Sequence, residues 1–175
     1  MNQKRRQIYT FIDSQNLNYG TCKNIYNKRK KLVYKGWKLD FKKFRIYLQH
    51  KFRATKAIIF IGYIKDNEYL YRSLRRFGYE LVFKPTVKDN NGKPKGNIDA
   101  ELVLHAAAIE YPNYDKAVIV SGDGDFSCLH EFLVGKNKLL NIVIPNKYSA
   151  SSLLADFEKY KTFIEYEQKK LEYKK

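Results

Sequence analysis

The 175-residue chain predicts an α/β fold in which a mostly parallel sheet carries helices on both faces. Two observations predict it. Continuous apolar runs bounded by polar residues, such as 57–64 and 139–144, have the pattern of strands buried on both faces. Between them lie segments with apolar residues three and four apart, such as Phe41, Phe44, Leu48 and Phe52, the one-sided spacing of a helix. Their alternation makes βαβ units, and right-handed crossovers then bring the carboxyl ends of the strands to one edge of the sheet. At this length, 44% apolar residues suffice for one core.

The elements follow in order. Residues 7–12 read as a first buried strand, and residues 14–38 as a loop-rich, basic excursion. Asp40 then caps a helix running to Phe52, because its short carboxylate can accept from the free amides of the first turn. Residues 57–64 form the second strand. Asn67 opens a helix that Gly78 closes, and 79–84 are the third strand. Residues 85–96 are an aperiodic loop of Pro, Gly, Asn and Lys. Helical spacing returns over 98–110, a strand over 116–121, a helix over 126–134 stopped by Gly135, and a last strand over 139–144 ended by Pro145. Ser149 or Ser151 starts a further helix. The domain is expected to span 1–160, with 161–175 as a charged helical extension.

Charge speaks to partners. Lys and Arg number 34 against 18 Asp and Glu, a net charge of +16, which points to a polyanion: nucleic acid first, anionic membrane second. No apolar run approaches the ~20 residues of a membrane helix. Asp13 and Asn16 interrupt any signal-like apolar region after the basic start, so the expected location is the cytoplasm. Cys22 and Cys128 have no CxxC spacing and make no zinc pattern with His50, His105 and His130, so neither a disulfide framework nor a zinc site is expected.

Between residues 23 and 45 stand ten basic residues and one acidic one, with aromatics interleaved. Lys28, Arg29, Lys30 and Lys31 are expected to meet phosphates there, and Tyr34 or Trp37 to stack on a base from outside the core. Phe41 and Phe44, at helical spacing, are expected in the core. Arg72, with Arg75 and Arg76, either grips phosphate or solvates a helix face. Lys84, Lys88, Lys93 and Lys95 lie in or beside the 85–96 loop, where they can clamp a strand of nucleic acid across the sheet edge.

Four aspartates stand where strands end or helices begin: Asp13, Asp99, Asp123 and Asp125. Each has a structural reading. Asp13 suits a turn or cap, Asp99 complements the positive end of a helix, and Asp125 can cap the helix that begins at Phe126. Asp123 has no such evident duty, and Gly122 and Gly124 let backbone approach a ligand closely. Carboxylates gathered at one edge repel one another unless a cation neutralises them, and hard oxygen ligands suit Mg²⁺ or Mn²⁺.

The segment Phe-Ile-Asp13-Ser-Gln-Asn16-Leu resembles the "IDGxNL" opening of the NYN family, a branch of the PIN-like metal-dependent ribonucleases. Lys95-Gly-Asn-Ile-Asp99-Ala-Glu-Leu is similar to that family's "KGxVDxxL" segment, and Ser121-Gly-Asp-Gly-Asp-Phe-Ser to its "SGDSDFxP" signature. The three arrive in the family's order and spacing, and the resemblance covers about residues 8–144. It implies a three-layer PIN-like fold and Mg²⁺- or Mn²⁺-dependent cleavage of RNA phosphodiester bonds. By motif alignment Asp13, Asp99, Asp123 and Asp125 fall on metal-site positions and Asn16 on the polar position beside the first. Two positions depart from the pattern. His105 stands where many relatives carry a second acidic residue, and Cys128 where the third motif has Pro. His105 reads as a helix-face residue and Glu101 as an outer-shell carboxylate.

The expected function is therefore a metal-dependent endoribonuclease acting on single-stranded RNA. Two alternatives compete with it. One is an RNA-binding module that keeps the fold with little or no activity. The other is a phosphatase, although its Asp-x-Asp motif normally follows the first strand, whereas here it comes late.

Overall fold

The computed structural model describes residues 5–84, 87–88, 94–95 and 98–174. Strand β1 (Ile8–Asp13) runs straight into helix α1 (Ser14–Cys22). That helix falls where a loop was expected. Its Ser, Asn, Gly and Thr residues have low helix propensity, and only Leu17, Gly20 and Thr21 are buried, so no apolar period marks it. An antiparallel hairpin follows, β2 (Ile25–Tyr26) and β3 (Leu32–Tyr34). At its turn the Asn27 side chain accepts hydrogen bonds from the amides of Arg29 and Lys31.

Helix α2 (Phe41–Phe52) is capped by Asp40, which accepts from the Lys43 amide at 3.0 Å. Then come β4 (Lys56–Gly62), α3 (Glu68–Arg76) and β5 (Glu80–Lys84), with Gly78 at φ +89° closing α3, a backbone conformation that favours glycine. Within the expected 85–96 loop, β6 (Val87–Lys88) and β7 (Pro94–Lys95) form an antiparallel pair. Lys93 and the side chains of Lys88 and Lys95 lie outside the described residues.

Helix α4 (Ile98–Leu104) continues into one π-helical turn, His105–Ile109. β8 (Lys116–Val120), α5 (Ser127–Gly135) and β9 (Leu139–Ile144) follow, with a 3₁₀ turn, Gly124–Phe126, between β8 and α5. Ser151 caps the next segment, Ser152–Tyr160, which is 3₁₀-helical. Residues 161–175, expected as a charged helical extension, instead begin with β10 (Lys161–Phe163), an edge strand of the main sheet. Short α6 (Gln168–Leu171) then places Leu171 in the core at 2% exposure. A few large apolar residues, Ile164 and Leu171 among them, anchor this tail despite its charge.

The main sheet has six strands in the order β10-β9-β8-β1-β4-β5, and every pairing is parallel. The chain winds outward from β1 in one direction and then, from β8, in the other. The carboxyl ends of β1 and β8 therefore flank the switch point, where doubly wound sheets open a crevice. On one face Ile12, Ile59 and Val118 pack against Leu17 of α1, Phe44 and Leu48 of α2, Leu74 of α3 and Leu171 of α6. On the other, Phe11, Ile58 and Ile119 pack against Leu102 of α4 and Leu129 and Leu133 of α5. The result is the expected three-layer α/β sandwich.

The expectation for Tyr34 and Trp37 is corrected. They are 7% and 4% exposed and belong to the core on the first face. The Tyr34 hydroxyl and the Trp37 amide both donate to the Thr21 carbonyl, which draws this limb onto the end of α1. Gly36 permits that approach, because a β-carbon there would overlap the Cys22 carbonyl. Ring size and burial outweigh the basic surroundings, so neither ring is presented for stacking.

Candidate active site

At the end of β1, Asp13 is 4% exposed. Its Oδ1 accepts from the amides of Gln15 and Asn16, both at 3.0 Å, which caps α1. Its Oδ2 accepts from the hydroxyl of Ser121 at 3.2 Å. Ser121, fully buried just beyond β8, accepts in turn from the Asp123 amide at 3.1 Å. Asn16 reaches the same loop, its Oδ1 accepting from the Gly122 amide at 2.9 Å. These bonds lace the ends of β1 and β8 together across the switch point.

Asp123 does have a structural duty, contrary to the sequence reading: its Oδ1 accepts from the Asp125 amide at 3.0 Å and caps the 3₁₀ turn that follows. Asp125, expected as the cap, is exposed. Capping and site-building are thus the same geometry here, because the strand ends that need caps are the ones facing the crevice. Gly124 leaves no space for a β-carbon beside the Ser151 side chain, so the turn sits tightly on the segment after β9.

Asp13, Asn16, Asp99 and Asp123 line one cavity of roughly 500 Å³. Asp99 comes from the first turn of α4, on the opposite face of the sheet from α1. Burial raises the Asp13 carboxyl above the ordinary carboxylate range, and the charge of Asp99 adds to this against its stabilising hydrogen bonds. Asp99 is raised first by burial and then by the charges of Asp123 and Asp125, with Lys84 opposing. The four aspartates therefore share one electrostatic neighbourhood. Among the described residues, however, no three His, Cys, Asp or Glu side chains converge into a ready-made metal group.

Several cavity residues escaped the sequence reading. Tyr19, Gly20 and Lys23 line it with Asn16, at the i, i+3, i+4 and i+7 positions of one helical face. That face was invisible while 14–38 read as loop. Ser121 stood in the third motif as the last residue of the expected 116–121 strand and was given no part in the site. Residues 28–31 are exposed on the hairpin, whose approach, Lys23, Asn24 and Ile25, forms part of the cavity wall. Arg72 is exposed on α3 and does not line the cavity. His105 packs edge-on against Phe60 at 5.3 Å between ring centres.

The NYN domain family matches the chain over residues 7–165. The fold is also similar to the crystal structure of VPA0982, a protein of unknown function from Vibrio parahaemolyticus. The two superpose with a TM-score of 0.63 at 23% identity, over 89% of this chain and 91% of the other. No curated protein matches.

Proposed function

Because the chain belongs to the NYN domain family, generally PIN-like nucleases, we propose that it is a divalent-metal-dependent endoribonuclease that cleaves single-stranded RNA. One observation carries the reading: Asp13, Asn16, Asp99 and Asp123 meet around one cavity at the switch point of a parallel sheet.

The donor set fits Mg²⁺ or Mn²⁺. These hard ions take carboxylate oxygen, and Mg²⁺ commonly keeps several waters while binding only one or two carboxylates directly. A cavity ringed by spaced carboxylates therefore suits a partly hydrated ion better than a dehydrated cage. Burial raises Asp13 and Asp99 first, and the repulsion from neighbouring aspartates that adds to it is what a cation relieves. Asp13, Asp99 and Asp123 would hold the ion, with Asp125 adding charge to it. When bound, the metal supplies Lewis acidity toward the phosphoryl oxygen and lowers the pKa of a water.

The rest is done by the chain. Ser121 fixes the Asp13 carboxylate against the Asp123 loop, and Asn16 pins Gly122, so the oxygens keep their orientation when substrate arrives. Lys23 in the cavity wall and the basic residues 28–31 of the hairpin would hold RNA phosphates, neutralising a charge that the acidic cavity repels. Among the described residues, no helix is long and apolar enough to cross a membrane.

The test is incubation of the purified protein with end-labelled single-stranded RNA in Mn²⁺ or in EDTA, beside a small phosphomonoester. Internal cleavage only with metal, and no release of phosphate from the monoester, is the expected result. Intact RNA in both conditions sinks the nuclease reading, and phosphomonoester hydrolysis in its place would make the protein a phosphatase.

A further inference from the structure

Helix α1 has a second cavity on its other side. It has a volume of about 260 Å³ and lies between α1, the end of β4 and the start of α3. Gln15 and Tyr19 line both cavities, so the two share a wall. The spacing explains this: Asn16, Tyr19, Gly20 and Lys23 face the carboxylates, while Gln15, Asn18 and Tyr19 face the second cavity at i, i+3 and i+4. Tyr19 lies on both stripes, and Gln15, next to Asn16, also reaches both cavities.

The second cavity has a different chemistry from the first. No carboxylate lines it. Its apolar lining is Phe41, Ile59, Ile61, Leu70 and Leu74. Its polar groups include the Ser14 hydroxyl and the amides of Gln15, Asn18 and Asn67. Tyr19 is 47% exposed, and the Lys23 ammonium lies 3.9 Å from the centre of its ring. Apolar side chains combined with amide donors and acceptors suit a planar, polar-edged ring. Asn and Gln pair with base edges in this way, and unpaired bases stack on aromatic rings. The cation on the Tyr19 ring suits the phosphate that joins such a base to the carboxylate cavity.

We propose that this cavity is a nucleobase subsite: Tyr19 stacks on the base next to the scissile phosphate, and Gln15, Asn18 and Asn67 read its edge. The subsite rests on the nuclease reading for its neighbour but makes its own demand. The protein must discriminate among bases even when it cannot cleave. Asn67 occupies the cap position of α3 without making a side-chain cap bond, so its replacement removes no helix cap.

The experiment measures binding in EDTA, by fluorescence anisotropy, of eight-nucleotide A, C, G and U homopolymers and of an abasic strand of the same length. The wild type should separate the best base from the abasic strand by on the order of 10-fold or more. Tyr19→Leu, which keeps bulk but loses the aromatic face, should collapse that ratio, and Tyr19→Phe should restore it. Asn67→Ala should narrow the differences among the four bases. Circular dichroism of each variant confirms that the fold is kept. Equal affinity for all five strands overturns the subsite, whether or not the protein cleaves RNA. Base discrimination that depends on Tyr19 in a protein that cleaves nothing keeps the subsite and removes the nuclease. Absence of RNA binding removes both.

Discussion

Two charged regions of the molecule, the cavity around Asp13 and the hairpin after α1, are built in opposite ways. The cavity around Asp13 is acidic, largely buried and bonded throughout: each oxygen of that carboxylate already has a donor before any ligand arrives. The hairpin tip at 28–31 is basic, exposed and tied to Asn27, through its side chain and its backbone. A group that must meet one atom at one angle needs its rotamers fixed by neighbours. A group that attracts a polyanion over several ångströms needs charge and freedom. The contrast explains why a protein of charge +16 gathers four aspartates at one edge of the sheet.

The hairpin tip and the segment that follows the hairpin sharpen the contrast most. Trp37→Ala should cost about 3–5 kcal/mol of stability in urea denaturation, as emptying a buried aromatic site does. Neutralising 28–31 together should change stability by about 0.5 kcal/mol or less per site. A Trp37→Ala loss below about 1 kcal/mol would return that ring to the surface.

Next in size is the chemistry. Asp123→Asn should lower RNA cleavage on the order of 100-fold, as loss of one well-placed charge stabiliser does. RNA affinity in EDTA should be unchanged or tighter, since negative charge facing the phosphates has fallen. Near-normal cleavage by this variant would leave Asp123 with only its cap.

Neutralising 28–31 should act in the reverse sense, on binding alone. For single strands each lost phosphate contact should shallow the slope of log affinity against log salt by about 0.7. An unchanged slope would mean that RNA takes another path.

The smallest effect is on pH dependence. Asp99 is raised by burial and by its neighbours' charges, so the folded state holds its proton more tightly than the unfolded chain. Its contribution to stability is then greatest below the ordinary carboxylate pKa and falls as pH rises through the folded value. Asp99→Asn should therefore raise the melting temperature in EDTA at neutral pH, and the gain should vanish toward pH 4. A constant or opposite difference would show that Asp99 is stabilised as an anion.

Much of this was legible in the residues. Buried strands declare themselves as apolar runs, and the helix after Asp40 by its spacing and cap. The aspartate motifs lay where strands end or a helix begins, and a parallel sheet makes its crevice at its strands' carboxyl ends. What stayed hidden had physical causes. Helix α1 is a poor helix by propensity, stabilised by the Asp13 cap and by Leu17, so the Tyr19 and Lys23 face could not be foreseen. Trp37 sits outside any period because a single contact, its amide on Thr21, turns the chain inward. β10 is only three residues long, too short to show a pattern.

The bond from Ser121 to Asp13 spans 108 residues and that from Gly122 to Asn16 spans 106. During synthesis the first strand leaves the ribosome long before its partner exists, and the basic hairpin emerges with it. A nascent chain can thus bear the RNA-attracting surface while its carboxylates remain apart. Contacts of such separation form slowly and late. If the proposed nuclease function holds, cutting power should switch on only after β8 docks beside β1, which would keep an unfinished chain harmless to the message that encodes it. Ribosome-stalled chains ending before residue 116 should bind RNA and leave it intact.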